Sequence, residues 1–166
     1  MILVIAEQKD GKLNRASLET IAAAQQLAAS SSGPITIAVA GQNVGAVAGE
    51  LAQYGDVIAV DHAALAQYTP DAFVQALQQV IAQASPALVF LPHTYQTRDF
   101  SPMLATRLDR ALITDVTAVK AGAAPSFARP MFQGKMTADV QPQGPGPHFI
   151  SIQIGAFRAD AAAKAS

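Results

Sequence analysis

His93 is the residue whose type and position best suit general-base work or metal ligation, because it follows Pro92 at the end of the apolar run Leu88 to Leu91. Either chemistry needs companions, and the sequence offers few. His62 and His148 fall in other loops, and there is no H-E-x-x-H motif or close carboxylate spacing for zinc. His93 is therefore read as a polar loop histidine. The same turn carries Thr97, Arg98 and Asp99. Asp99 is expected to cap a helix beginning at Phe100, while Arg98 is left open between an internal ion pair and recognition of a partner. Asp109, Arg110 and Asp115 read as surface or interstrand pairs. Ser101 and Ser151 stand outside any G-x-S-x-G elbow, which argues against a hydrolytic nucleophile. Met131 and Met136, flanking Gly134, read as core filling.

A second place where chemistry could sit is the stretch GQNVGAVAGELAQYG, with glycines at 41, 45, 49 and 55. One reading is a phosphate loop. Neither G-x-G-x-x-G nor G-x-x-x-x-G-K-[ST] is present, however, so the convergent backbone N–H groups that hold a pyrophosphate are not encoded. The favoured reading is a short helix, packed closely through Gly45 and Gly49 and capped by Gly55.

These residues must be positioned by regular elements, and the hydrophobic pattern supplies them. Apolar runs at residues 2–6 and 35–40 predict strands buried between helices, and residues 56–61 and 88–91 predict two further strands. Helical spacing predicts helices over 16–29, 71–84 and 100–108, with Thr69-Pro70-Asp71 marking one start and Ser30-Ser31-Ser32-Gly33-Pro34 one stop. Four strand-then-helix units argue for a three-layer α/β/α sandwich on a mainly parallel sheet. Another strand begins at Leu112. Glycine and proline then become frequent, and residues 127–132, 135–140 and 148–154 predict an antiparallel addition, with Gln143 to Pro147 turning between the last two. Residues 159–166 (ADAAAKAS) carry no core residue and read as a tail or linker.

Composition narrows the function classes. A chain of 166 residues is one domain's worth, long enough to bury about two thirds of its unfolded surface. Net charge is −1, so nothing builds the positive field that nucleic acid or anionic lipid requires. Charged residues are only 14% of the chain, a lightly charged surface that suits docking. The absence of cysteine excludes disulfides and thiolate chemistry and fits a reducing compartment. The N-terminal MILVIAEQKD lacks the basic segment of a signal peptide, and no apolar stretch approaches the roughly 20 residues needed to cross a bilayer. No membrane insertion is expected.

Several segments together resemble one family. They are ILVIAEQKDGKLNRASLETIAAAQQL at 2–27, VAGQNVGAVAGELAQYG at 39–55, HAALAQYTPDAFVQAL at 62–77, VFLPHTYQTRDFSPMLATRLDRALITDVTAV at 89–119, and Phe127-Ala128-Arg129-Pro130 with Gly134. The chain is similar to the N-terminal domain of the α subunit of electron transfer flavoprotein. That resemblance implies a Rossmann-like, adenine nucleotide α-hydrolase-like sandwich over residues 1–157, with 158–166 leading toward a C-terminal FAD-binding domain that the chain lacks. It further implies a bacterial cytoplasmic electron carrier that pairs with a β subunit. The carrier would take electrons from dehydrogenases such as acyl-CoA dehydrogenases, in fatty acid β-oxidation, and pass them to a quinone reductase or another acceptor. FAD belongs to the complete protein and AMP to the partner subunit. This domain would be a scaffold without catalytic residues, with Thr97, Arg98, Asp99 and His93 shaping a docking or crevice surface. The chain departs from the family pattern at Thr97, where glycine is common, at Lys135, where asparagine is common, and at Gln153-Ile154, where an Arg-Pro or Arg-Gly pair is usual. The rival reading is a stand-alone adenine-nucleotide-binding or nucleotide-hydrolysing domain built around Glu7, Gly41 and the turn from His93 to Asp99.

Overall fold

The computed structural model describes residues 1–31, 33–122 and 124–165. Ser32, in the predicted turn cluster, and Ser166, in the predicted tail, lie outside them. In chain order the strands are β1 (Ile2–Ala6), β2 (Gln8–Lys9), β3 (Lys12–Leu13), β4 (Ile35–Gly41), β5 (Asp56–Asp61), β6 (Leu88–Pro92), β7 (Leu112–Val116), β8 (Ala118–Lys120), β9 (Ser126–Met131), β10 (Met136–Val140) and β11 (His148–Ile152). The helices are α1 (Arg15–Ser31), α2 (Gly45–Leu51), α3 (Pro70–Ala84) and α4 (Tyr95–Arg107), with single 3₁₀ turns at Ala63–Leu65 and Ala159–Ala161.

Six strands form the main sheet in the order β5-β4-β1-β6-β11-β7, and every pairing in it is parallel. Strand residues alternate between faces. Ile2, Val4 and Ala6 of β1 join Ile37, Val39, Phe90 and Ile150 beneath α1 and α2, whereas Leu3, Ile5, Val89, Leu91 and Phe149 pack against α3 and α4. The result is the expected α/β/α sandwich. Val119 and Phe127 of the small antiparallel sheet, ordered β10-β9-β8, complete the first face, where Phe127 meets Phe90 edge-on at 6.1 Å.

The last strand corrects the expectation. β11 does not extend the antiparallel addition; it returns to the main sheet and runs parallel between β6 and β7. Its sequence explains why: Phe149, Ile150 and Ile152 are at most 1% exposed, the continuous burial of a strand covered on both faces. The segment Gln143 to Pro147 is accordingly a connection between two sheets, not a hairpin turn.

Two more expectations change. Residues 159–166 read as holding no core residue, yet Ala159 is only 8% exposed, and Gln25 of α1 exchanges two 2.8 Å hydrogen bonds with the backbone of Ala163. Ala165 N–H reaches the Gln53 carbonyl at 2.7 Å, and buried Glu19 accepts from Gly155 N–H at 2.7 Å. Short side chains let this segment lie flat on α1. Met136 is 61% exposed rather than core filling, opposite Met131 in the β9–β10 ladder, because that ladder shows one side to solvent.

Candidate functional site

α1, which follows β1, covers one face of the sheet, and α4, which follows β6, covers the other, so the chain changes direction between β1 and β6. Ligands of open α/β sheets bind outside the carboxyl ends of the strands at such a switch point. Here that position holds a hollow of about 510 Å³, lined among others by Glu7, Asn14, His93, Thr94, Arg98 and Ile154.

The floor of the hollow is closed by its own side chains. Glu7 Oε1 accepts from Asn14 Nδ2 at 2.7 Å, and Oε2 accepts a short hydrogen bond from the Thr94 hydroxyl. Asn14 in turn accepts from Ala16 N–H at 3.0 Å at the start of α1. Thr94 Oγ1 accepts from Thr97 N–H at 3.1 Å and is the N-cap of α4. One carboxylate thus ties together the starts of α1 and α4, whose capping residues both come from the crevice.

This geometry relocates the predicted turn. α4 starts at Tyr95, five residues before Phe100, so Thr97, Arg98 and Asp99 lie inside a helix. Pro102 favours a start near Phe100, because proline is best tolerated in a first turn, but the Thr94 cap prevails. Asp99 is therefore not a cap. It accepts from the Tyr68 hydroxyl at 2.7 Å, and burial, followed by this bond and the charges of Asp99 and Glu7, holds the Tyr68 phenol above its usual range. Thr97 is 2% exposed and packs inward. Arg98 is exposed, with its guanidinium 5.8 Å above the ring of Tyr95, which is itself 88% exposed. Among the described residues it forms no ion pair, which removes the internal-pair alternative.

His93 does have companions, brought from far along the chain. Its Nδ1 lies 2.8 Å from Ser151 Oγ, and its Nε2 lies 3.8 Å from Asp115 Oδ1. Ser151 Oγ also accepts from Asp115 N–H at 3.2 Å. With the ring proton on Nε2, the nitrogen facing the Asp115 carboxylate, the serine hydroxyl donates to Nδ1. Asp115 has φ 62, at the bulge where the β7–β11 register shifts. Burial lowers the pKa of His93, and the charges of Arg98 and Arg129 add to that, against the opposing pull of Asp115. The net direction favours the uncharged ring. These are the residue types of a hydrolytic triad, but Ser151 is 1% exposed and its oxygen reaches no substrate. The trio works as a brace that holds the bulge.

The glycine stretch is sealed as well. Asn43 N–H and Val44 N–H, the donors a phosphate would use, bond to the two carboxylate oxygens of Asp61 at 2.8 and 3.1 Å. The Gln8 side chain and Val44 sit so close over Gly41 that a Cβ there would collide with both. Gly41, not Gly45 or Gly49, is the tight position: the latter two face open space. α2 ends at Leu51 with Ala52 as its C-cap, rather than being capped by Gly55. The loop after β4 thus has no free pair of N–H groups to offer the pyrophosphate of FAD. The described residues include no cluster of three or more potential metal ligands, and no helix is long and apolar enough to cross a membrane.

The signals that sequence reasoning missed were nonlocal. Glu7 and Thr94 are 87 residues apart, and His93 and Ser151 are 58 apart. Only the strand order, which the sequence does not reveal, brings them together.

Comparison with known proteins agrees with this architecture. The electron transfer flavoprotein domain family matches residues 2–166. The electron transfer flavoprotein subunit alpha of Bacillus subtilis is 36% identical over 137 residues, covering 81% of this chain and 42% of the relative. The corresponding subunit of Clostridium acetobutylicum is 26% identical, covering 94% and 48%. The acryloyl-CoA reductase electron transfer subunit beta of Anaerotignum propionicum is 34% identical over 118 residues, covering 70% and 32%. The chain spans less than half the length of these relatives.

Proposed function

Because the chain belongs to the electron transfer flavoprotein domain family, we propose that it is the scaffold and partner-binding part of an FAD-containing electron carrier. In this reading the carrier pairs with a β subunit, takes electrons from dehydrogenases and passes them to a quinone reductase or another acceptor. The FAD is held by residues other than these, and the flavin carries the redox chemistry. This domain contributes shape, stiffness and surface.

The observation that supports the reading is the commitment of the loop donors. Glu7 bridges Thr94 and Asn14 on the floor of the hollow, and Asp61 takes the N–H groups of Asn43 and Val44, so the donors a phosphate-binding loop would offer after β4 are already bonded within the chain. The electron-carrier names of the relatives support including a flavin and a subunit partner. The rival, a stand-alone nucleotide-binding or nucleotide-hydrolysing domain, would need backbone donors that this loop has already committed.

The outward groups of the switch point, Arg98 over Tyr95, are proposed as part of the subunit-facing surface, with His93 supporting them from below. The test is direct. Purified chain is titrated calorimetrically with FAD, AMP and ATP, and separately with an electron transfer flavoprotein β subunit. The expected result is a colourless chain that ignores all three nucleotides and associates with the β subunit. Stoichiometric flavin absorbance or tight adenine-nucleotide binding would overturn the reading.

A further inference from the structure

The turn after β4 has the backbone shape of an anion nest. Asn43 has φ 55 and Val44 has φ −82 with ψ 2, so a left-handed residue is followed directly by a right-handed one. Successive N–H groups in such a turn point into one concavity, where they bind anions. Here the concavity is filled. Asn43 N–H donates to Asp61 Oδ1 at 2.8 Å and Val44 N–H donates to Oδ2 at 3.1 Å. Each carboxylate oxygen takes one donor, as the paired oxygens of a bound carboxylate or phosphate would. The carboxylate belongs to the neighbouring strand. Asp61 pairs with Gly41 at the end of the β4–β5 ladder, and His62 N–H holds that register by donating to the Gly41 carbonyl at 2.9 Å.

A third donor borders the same turn. The Gln8 side chain lies over Gly41, where an added Cβ would collide with both Gln8 Nε2 and Val44 Cγ1. That amide nitrogen reaches the Ala40 carbonyl only at 3.4 Å, a long and weak bond. Asn43 and Asp61 are both exposed, so the concavity opens to water and not into the core.

We infer that residues 42–44 form an oxyanion site that Asp61 holds shut, a self-blocking contact in which the carboxylate of β5 stands where a phosphate or carboxylate ligand would bind. A carboxylate fixed on the adjacent strand competes at an effective concentration that free anions at millimolar levels do not match. The wild type therefore stays closed. Removing that one side chain leaves two convergent N–H groups facing solvent, with Gln8 beside them. None of this depends on the electron-carrier reading.

The full chain carrying Asp61→Ala, labelled with nitrogen-15, is titrated with sodium formate, with inorganic phosphate and, at matched ionic strength, with sodium chloride. Formate fits the space of the lost carboxylate, whereas phosphate protrudes into water, so the two arms separate the ligand classes. Expected are saturable amide shifts at Asn43 and Val44 with formate or phosphate and none with chloride. The anion should also restore at least about half of the urea midpoint that the substitution removes. Phosphate stabilises many proteins by exclusion from their surfaces, so the wild type is the reference and should show no saturable shift at these two amides. Asp61→Asn keeps the shape of the side chain and loses its charge. It should respond at higher anion concentration, which keeps the test open if the alanine variant folds poorly. No response in either variant, an equal response to chloride, or the same saturable shifts in the wild type would each overturn the assignment.

Discussion

Asp61 and Asp115 stand at the carboxyl ends of two strands of one sheet and use their surroundings differently. Asp61, exposed, spreads its charge over two backbone N–H groups and fixes the loop after β4. Asp115 leaves its carboxylate 3.8 Å from a neutral imidazole and gives its own N–H to Ser151, which is almost fully buried. The number of hydrogen bonds is similar in the two places. What separates them is access to water, which can replace a lost partner at Asp61 but not at Ser151.

The largest test of that contrast is Ser151→Ala. It leaves Asp115 N–H and His93 Nδ1 without a partner, and should cost about 2–3 kcal/mol by urea denaturation. Asp61→Ala removes two bonds where water can reach, and the same measurement should show about 1 kcal/mol, the size of a lost helix cap. If the exposed site cost more than the buried one, the contrast would be wrong.

A gentler probe is pH. The native pKa of His93 is lowered, chiefly by burial, so below the ordinary histidine value near 6.5 the unfolded chain takes up a proton that the folded chain resists. The stability held by the neutral ring is therefore complete above about pH 6.5 and falls as the pH drops toward the lower folded value. His148 is lowered by burial and by Arg110, with the same sign, so the informative quantity is the difference between the wild type and His93→Gln. The variant should show a shallower loss of the urea midpoint between pH 7.5 and pH 5, and parallel curves would remove His93 from the brace. The smallest effect on folding belongs to Arg98→Ala: exposed and unpaired, it should change stability by less than about 0.5 kcal/mol. Association with a β subunit should nevertheless weaken measurably, and an unchanged association constant would take Arg98 out of the proposed surface.

Much of the layered core was legible in the sequence. β1 and β6 are unbroken apolar runs, β4 and β5 are mostly apolar, and α3 shows its stripe at Phe73, Val74, Leu77, Val80 and Ile81. What escaped was set by pairing over long separations. HFISI reads as a strand from its composition, but only the sheet order shows that it slots between β6 and β7. Asp99 is a good capping type in a good place, and it lost to Thr94 because Thr94 could satisfy Glu7 and the helix start together. The brace at His93 was illegible for the same reason. Its serine and aspartate occupy β11 and the bulge of β7, and nothing local announces either.

The placement of β11 also bears on how the chain comes into being. Synthesis delivers β6 and β7 before residues 148–152 exist, yet within the sheet those strands touch only through that last arrival. Until then a nascent chain carries a vacancy one strand wide, bordered by two bare, apolar edges that invite the wrong neighbour. Closing it joins segments distant along the chain, a slow kind of step. The sheet is therefore unfinished until residues 148–152 have left the ribosome, and that strand alone joins β7 to the rest of it.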